Sequence, residues 1–248
     1  MIRLNDIERF EELRLAALGK YKDDKFYNIK SLVNWVRYIR FAMLVAKHIP
    51  KNGKVLDVGC GGGEPTALIK MLRPDCEVKG IDILERDTWP VVRDFSVELI
   101  KADGENLKQF KGEEFDVVVS FGVIEHVRDE GKFLKETFRV LKKGGYYFVF
   151  DLPNKLGFSE FLADIIIKTR HHDRKYTVKG ITDMVSKYAQ PILVIRENML
   201  PVQLHRLSES AGEFMNRNWF VFSNLEEFLA KTPLNFFAQS ITVFCRKR

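Results

Sequence analysis

A carboxylate and a glycine loop stand together in residues 55–64, which read VLDVGCGGGE. Asp57 ends an apolar run, and three glycines follow it at alternate positions: Gly59, Gly61 and Gly63. Glycines let a backbone turn sharply and come close to a ligand. A carboxylate beside such a loop repels a phosphate and attracts an amine or a sulfonium. The loop therefore predicts a cationic nucleoside ligand. A GxGxxG dinucleotide site is disfavoured because Glu64 replaces the third glycine.

Two more carboxylates follow the next strand-like segments. Asp82 lies in the sequence GIDI, and Asp103 lies in ADGENL. A carboxylate at the end of the second strand can accept both hydroxyls of a ribose, with Ile83 against the purine. Asp103 can accept a hydrogen bond from an adenine amino group. Together these acids predict a nucleoside site at one edge of a parallel sheet.

Short apolar strands alternate with helices through the middle of the chain, which is typical of a parallel sheet covered on both faces. Right-handed crossovers make this a doubly wound, Rossmann-like α/β fold. The pattern predicts strands over 54–58, 77–83, 96–101, 115–121 and 146–150, with helices over 64–72 and 132–141. Two amphipathic helices, over 6–18 and 29–49, precede them.

The last hundred residues are less regular. The pattern predicts helices over 158–168 and 177–189, with Thr177 as N-cap, and strands over 191–196 and 240–245. An irregular apolar segment separates the two strands. We expect one domain over 1–248, with a helical cap (1–50), a cofactor-binding core (51–151) and an acceptor-side half (152–248) that contains an insertion at about 197–239.

Composition limits the class of protein. The net charge is +6 and spread along the chain, and no apolar run reaches the roughly 20 residues of a membrane helix. The three cysteines are widely spaced and predict neither a disulfide framework nor a zinc site. The N-terminal residues lack the apolar core of a signal peptide. We therefore expect a cytoplasmic protein.

The motifs VLDVGCGGGE, GIDI, ADGENL, FDVVVSFGVIEHV and LKKGG, in this order, resemble the class I S-adenosylmethionine-dependent methyltransferases. The subgroup that includes the ubiquinone/menaquinone-biosynthesis methyltransferases is the most similar. The resemblance covers about residues 50–151 and does not extend to the acceptor. It implies a seven-stranded sheet, mostly parallel with an antiparallel last strand, and S-adenosylmethionine as cofactor.

The resemblance also implies cofactor contacts at named positions. Asp57 would lie near the methionine amine, and Asp82 would hold the ribose. The cofactor loop would consist of Gly59, Cys60, Gly61 and Gly63. The adenine would contact Ile83, Asp103 and Gly104, and the methionine end would contact Ser120, Phe121 and Gly122.

His126 is the candidate general base, because it follows the fourth strand beside the expected methyl group. The alternative is that His126 only caps the next helix or packs against the loop. In some quinone-forming relatives an earlier Glu joins such a Glu-His pair to bind a divalent metal. Gly122 stands at that position here, so we predict no metal.

The acceptor is predicted less directly. Candidate acceptor residues are Tyr27, His172, Arg174 and Tyr176. For the cluster around Arg174, a contact to a phosphate or headgroup and a solvated loop are the alternatives. Tyr21 and Tyr27 could close over the cofactor or could only pack. The apolar insertion could form the acceptor pocket, since such sites are mostly apolar, or a homodimer contact.

We expect methyl transfer to a small-molecule or lipid-like acceptor, at oxygen or carbon. An RNA methyltransferase is the first alternative, favoured by the basic pI of about 9.1. It is disfavoured because FGVIEH stands where an Asn/Asp-Pro-Pro-Tyr-like tetrad would be, and because no RNA module is appended. The second alternative is a non-catalytic S-adenosylmethionine-binding protein.

Overall fold

The computed structural model describes residues 4–21, 28–158, 174–200 and 208–248. Within these ranges seven strands form one sheet: β1 (Lys54–Val58), β2 (Glu77–Asp82), β3 (Glu98–Lys101), β4 (Phe115–Phe121), β5 (Leu141–Pro153), β6 (Ala189–Glu197) and β7 (Ser240–Lys247). Their spatial order is β3-β2-β1-β4-β5-β7-β6. Strand β7 is antiparallel to both of its neighbours, and the other pairs are parallel. The predicted fold class is confirmed.

Eight α-helices accompany the sheet in the described ranges: α1 (Leu4–Leu18), α2 (Leu32–Ala46), α3 (Glu64–Leu72), α4 (Trp89–Arg93), α5 (Glu130–Val140), α6 (Val178–Ser186), α7 (Glu209–Arg217) and α8 (Trp219–Ala230). Three short 3₁₀ helices occupy Asn28–Lys30, Ile124–His126 and Pro233–Phe237. Thr177 caps α6 as predicted, because its side chain accepts from the N–H of Gly180.

Side chains along the central strands point alternately to the two faces of the sheet, so each face has its own apolar core. Val55 packs in the layer under α1 to α4, whereas Leu56 packs in the layer under α5 and α6. Asp57 continues the alternation and faces α3, where the hydroxyl of Thr66 donates to it. A sheet covered on both faces leaves its edge at the carboxyl ends of the strands as the place for a ligand.

Several predicted boundaries were wrong. Helix α2 begins at Leu32 rather than 29, because Ser31 caps it and accepts from the N–H of Asn34. Strand β5 begins at Leu141, which pairs with Phe115 ahead of an irregularity in the register. The segment 197–239 is not irregular throughout, because its described part contains α7, α8 and a 3₁₀ helix. The helix predicted over 158–168 lies almost wholly outside the described residues.

None of the helices in the described ranges has the length and hydropathy needed to cross a membrane.

Candidate functional site

The glycine loop is fixed to the neighbouring strand by its backbone. The amides of Gly59 and Cys60 both donate to the carbonyl of Ile81, each at 2.8 Å. Gly61 has a φ of +53°, and a β-carbon built on it would meet no heavy atom within 4 Å. Its surface therefore stays open to a ligand, and the left-handed backbone favours glycine.

Two side chains that sequence reasoning missed hold the loop from behind. The indole Nε1 of Trp89 donates to the carbonyl of Gly61, and the hydroxyl of Thr88 donates to that of Gly62, both at 2.8 Å. Both side chains are fully buried. Helix α4 begins at Trp89 and is only five residues long, so no periodicity in the sequence indicated it. The loop is thus held on both sides before any ligand arrives.

Asp82 connects the loop to the end of β2. Its Oδ2 accepts from the N–H of Gly61 and its Oδ1 from the N–H of Leu84, each at 2.9 Å. Arg86 lies 3.6 Å from Oδ1. A carboxylate oxygen has two lone pairs, so both oxygens can still accept a ligand hydroxyl.

A cavity of about 560 Å³ opens at this edge of the sheet. Its wall contains nine of the predicted residues: Gly59, Gly61, Asp82, Ile83, Asp103, Gly104, Phe121, Gly122 and His126. Eight further residues line it that the sequence did not single out: Val58, Arg86, Ala102, Glu105, Val123, Val127, Arg128 and Phe133. The size lies within the roughly 300–1,000 Å³ of small-molecule sites.

Asp103 lies in the rim of this cavity in an ion pair. Its Oδ2 accepts from Nη2 of Arg128 at 2.8 Å, and its Oδ1 accepts from the N–H of Glu105 at 2.9 Å. Arg128 is largely exposed. The adenine contact at Asp103 remains a prediction, and a ligand there would meet Arg128 as well.

Asp57 does not line the cavity; its side chain is buried beneath the loop. Thr66 donates to Oδ2 at 2.6 Å, while Oδ1 has no hydrogen-bond partner among the described residues. Burial raises the pKa of this carboxyl to about 7, although the hydrogen bond from Thr66 opposes the shift. A cation placed above the loop would favour the ionised form.

Three other predicted residues are also outside the cavity wall. Cys60 is buried against Gly80, and Gly63 is the left-handed N-cap of α3. Ser120 is fully buried and its hydroxyl lies 2.9 Å from that of Tyr147. These three contribute to the framework of the site.

Phe121 lines the cavity at the carboxyl end of β4, and two buried rings support it. Phe121 stacks on Phe150 with a centroid distance of 4.7 Å, and Phe150 stacks on Phe41 at 4.3 Å. Gly122 follows with a φ of +61°. His126, at the end of a 3₁₀ turn, is exposed and contributes to the same wall.

Two of the four candidate acceptor residues, Arg174 and Tyr176, lie in the described structure, and neither lines the cavity. The guanidinium of Arg174 donates to the carbonyls of Val127 and Arg128, and thereby supports the cavity wall from outside. Tyr176 is buried and donates to Glu130. Tyr27 and His172 lie outside the described residues. Tyr21, the other suggested closing residue, donates to Glu64 at 2.5 Å instead.

No group of three or more His, Cys, Asp or Glu side chains with the arrangement of metal ligands occurs among the described residues. That the enzyme uses no metal stays a prediction.

Comparison with known proteins agrees with the geometry. A family model described as "Methyltransferase domain" matches residues 56–149. The ubiquinone biosynthesis O-methyltransferase of Pelagibacter ubique is 30% identical over 171 residues, which are 62% of this chain and 68% of that protein. This chain belongs to the class I S-adenosylmethionine-dependent methyltransferases.

Two further similarities fit this methyltransferase family. A phthiotriol/phenolphthiotriol dimycocerosates methyltransferase of Mycobacterium ulcerans is 29% identical over 182 residues, 69% of this chain and 65% of that protein. The structure of Burkholderia thailandensis 1,6-didemethyltoxoflavin-N1-methyltransferase, with S-adenosylhomocysteine bound, matches with a TM-score of 0.57 at 15% identity over 100% of this chain and 91% of that one. The chain spans about two thirds of the two curated relatives.

S-adenosylmethionine is the cofactor of this methyltransferase, and the residues present fit it. The open face of Gly61 admits a ligand, Asp82 retains acceptor capacity, and Asp57 has a buried oxygen without a partner beneath the loop. Those features suit a ribose and a positively charged methionine end. The role of each single residue remains a prediction.

Proposed function

We propose that this methyltransferase moves the methyl group of S-adenosylmethionine to an oxygen or carbon atom of a small-molecule or lipid-like acceptor. One observation supports it above the others. A single continuous cavity wall includes the carboxylates Asp82 and Asp103 at one end and Phe121, Gly122 and His126 at the other. Such a wall can hold a nucleoside and leave its reactive end beside a candidate base.

The chain's own contribution is positioning, exclusion of water and removal of a proton. S-adenosylmethionine supplies an activated methyl group on a sulfonium. Phe121 gives this part of the cavity an apolar wall, and the rings of Phe150 and Phe41 stack behind it and hold it in place. Such a wall excludes water and fixes the direction of approach.

His126 is the proposed base for a hydroxyl or carbon acid. Its backbone N–H donates to the carbonyl of Val123 at 2.9 Å, and the residue is part of the cavity wall. A neutral imidazole nitrogen within hydrogen-bond reach would accept the proton that the acceptor atom loses.

An apolar surface near the acceptor side supports a lipid-like acceptor. Helix α8 exposes Phe220, Val221 and Phe228 by 66%, 62% and 65%. Exposed apolar patches of this kind mark interaction sites. The two curated relatives are named for ubiquinone biosynthesis and for dimycocerosate methylation.

Labelled methyl transfer tests the proposal. The protein is incubated with methyl-labelled S-adenosylmethionine and cell extract, and organic-soluble compounds, protein and RNA are then separated. We expect label in the organic-soluble fraction with wild type and clearly less with Asp82→Ala at a cofactor concentration near the wild-type Kd. Label in RNA would favour the RNA methyltransferase. Binding of S-adenosylhomocysteine without label in any fraction would favour a non-catalytic protein.

A further inference from the structure

A cluster of polar side chains lies at the carboxyl ends of β5 and β6, outside the cofactor cavity. Arg37 reaches from α2 and donates through Nη2 to Oδ2 of Asp151 at 2.8 Å. The two side chains are only 13% and 18% exposed. Asp151 is at the end of β5 with a φ of +60°, and Glu197 ends β6. We call this group the Arg37 cluster; its members are Asn34, Arg37, Asp151, Glu197, Ser223 and Glu226.

Helices α2 and α8 bring the other members to it. Asn34 precedes Arg37 by one helical turn, and Ser223 precedes Glu226 in the same way, so each pair shares a helix face. Helix α2 packs on α8, and α8 packs on β6. The cluster is thus formed by four elements that are far apart in the sequence.

The Arg37 cluster is incompletely hydrogen-bonded. In the described structure, these buried atoms have no partner: Nε and Nη1 of Arg37, Oδ1 of Asp151, both amide atoms of Asn34 and Oγ of Ser223. Asn34 and Ser223 are buried as whole residues. Buried polar atoms almost always have partners, because leaving them unpaired destabilises the fold. A bound polar group would provide them.

The cluster adjoins the reactive end of the cofactor cavity. A β-carbon on Gly122, which lines that cavity, would lie 4.0 Å from the carbonyl oxygen of Asp151. The guanidinium carbon of Arg37 lies 5.7 Å from the centroid of Phe41, and that ring lies 6.1 Å from the ring of Phe121 in the cavity wall. A molecule held by the cluster would therefore extend toward the site of methyl transfer.

The charges select the chemistry of that molecule. The carboxyl groups of Asp151, Glu197 and Glu226 all act electrostatically on this guanidinium, so an anionic head group is disfavoured. An ammonium group is disfavoured as well, because it cannot accept a hydrogen bond from Arg37. The free nitrogens of Arg37 fit an oxygen that accepts, and Oδ1 of Asp151 fits a hydroxyl that donates. We propose that the Arg37 cluster holds an uncharged, hydroxyl-bearing head group of the methyl acceptor, an inference that rests on the proposed function.

Three probes that share one ring and differ in charge test this: phenol, benzoate and benzylamine. Each is titrated into the full chain saturated with S-adenosylhomocysteine, and binding is measured by calorimetry and thermal shift. We expect phenol to bind at least tenfold more tightly than either charged probe. Asp151→Asn, which tolerates the positive φ and replaces the acceptor by an amide, should weaken phenol binding at least fivefold.

Ser223→Ala is the sharper variant, because it removes a hydroxyl that has no partner in the described structure. A merely structural or water-filled cluster predicts an equal or higher Tm and unchanged phenol binding. Our proposal predicts an equal or higher Tm together with weaker phenol binding. The control is Asp116→Asn. The carboxylate of Asp116 pairs with Lys142 at 2.7 Å and is 18% exposed, as is that of Asp151, but it lies at the amino end of β4.

The outcomes separate this inference from the function it rests on. Tighter binding of benzoate or benzylamine, no phenol binding to wild type, or phenol binding that survives both substitutions would overturn the inference. In each of these cases S-adenosylhomocysteine would still bind. Failure of wild type to bind S-adenosylhomocysteine would instead contradict the proposed function itself.

Discussion

Asp82 is the side chain on which the cofactor site depends most directly, because it joins the loop to β2 and keeps acceptor capacity. We predict that Asp82→Ala weakens S-adenosylhomocysteine binding at least about tenfold, since a hydrogen bond to a charged group contributes about 1.5–3 kcal/mol. Calorimetric titration measures this. Asp116→Ala is the control, and an Asp82→Ala affinity equal to that of wild type would contradict the ribose role.

Asp57 makes stability depend on pH. Burial raises the pKa of its carboxyl to about 7, whereas an unfolded aspartate titrates near about 4. Between these values the folded chain retains a proton that the unfolded chain releases. The free energy of unfolding therefore falls as pH rises through this range, by at most about 1.4 kcal/mol per pH unit from this group. Asp57→Asn should be more stable than wild type at pH 8 but not at pH 4, as denaturant titrations would measure.

Asp75 provides a control for that experiment, because the pKa of its carboxyl is shifted in the opposite direction. Arg73 beside it holds the pKa of this carboxyl well below its usual range. Asp75→Asn should therefore lower stability at pH 8, where Asp57→Asn raises it. The same direction of change for both variants would show that a general effect of charge, and not burial of Asp57, is being measured.

Substitution of His126 distinguishes a role in catalysis from a role in cofactor binding. With the acceptor found by labelled transfer, His126→Gln should lower kcat by about a hundredfold or more and leave the Kd for S-adenosylhomocysteine unchanged, because a general base acts only on the acceptor. The control is His48→Gln, since His48 packs among Tyr146, Phe148 and Phe244. An equal loss in kcat and cofactor affinity would assign His126 a structural role.

At the scale of elements, local pattern predicted the strands and helices that build the cofactor site. The bounds of β1, α3 and β4 agree with prediction because an apolar run ends in each case at a glycine, an acid or a helix cap. Helices α7 and α8 were missed. Helix α8 exposes Phe220, Val221 and Phe228, so apolar residues surround it and its 3.6-residue period is lost.

Contacts between distant elements left no signal in the sequence. Arg37 and Asp151 are 114 residues apart, and Arg174 lies 47 residues from the carbonyl of Val127 that it bonds. Such pairs follow from the crossover order of the sheet rather than from any local period. Asp57, Asp82 and Asp103 could be predicted because each lies at or near the carboxyl end of its own strand. The Arg37 cluster could not be predicted in this way.

The contact between α4 and the glycine loop has a direct test. Trp89→Phe keeps a buried ring but removes the indole N–H that donates to the carbonyl of Gly61. We expect a loss of about 1–3 kcal/mol in the free energy of unfolding, together with weaker S-adenosylhomocysteine binding, because a loop carbonyl loses its partner. The control is Trp35→Phe, which changes a buried tryptophan of α2. Unchanged cofactor affinity in Trp89→Phe would mean that the loop holds its shape without α4.

At the scale of the whole molecule, the sheet joins the glycine loop to the Arg37 cluster. Strands β1 to β4 hold the glycine loop, Asp82, Asp103 and Phe121, whereas β5 and β6 end at the Arg37 cluster. Strand β7 pairs with both β5 and β6 and so ties the end of the chain into the core. Because ladder hydrogen bonds run across all seven strands, neither side can unfold without exposing the other.

The effect of a bound ligand on unfolding tests whether the whole sheet unfolds as one unit. We expect a single cooperative unfolding transition, and S-adenosylhomocysteine at 100 times its Kd should add about 2.7 kcal/mol to the free energy of unfolding. Scanning calorimetry with and without the ligand measures both quantities, with NAD as the control ligand that should leave the midpoint unchanged. If the β5–β7 region melted first and only the later transition responded to the ligand, the two sides would be separate cooperative units. A shift with NAD alone would contradict the assignment of the glycine loop.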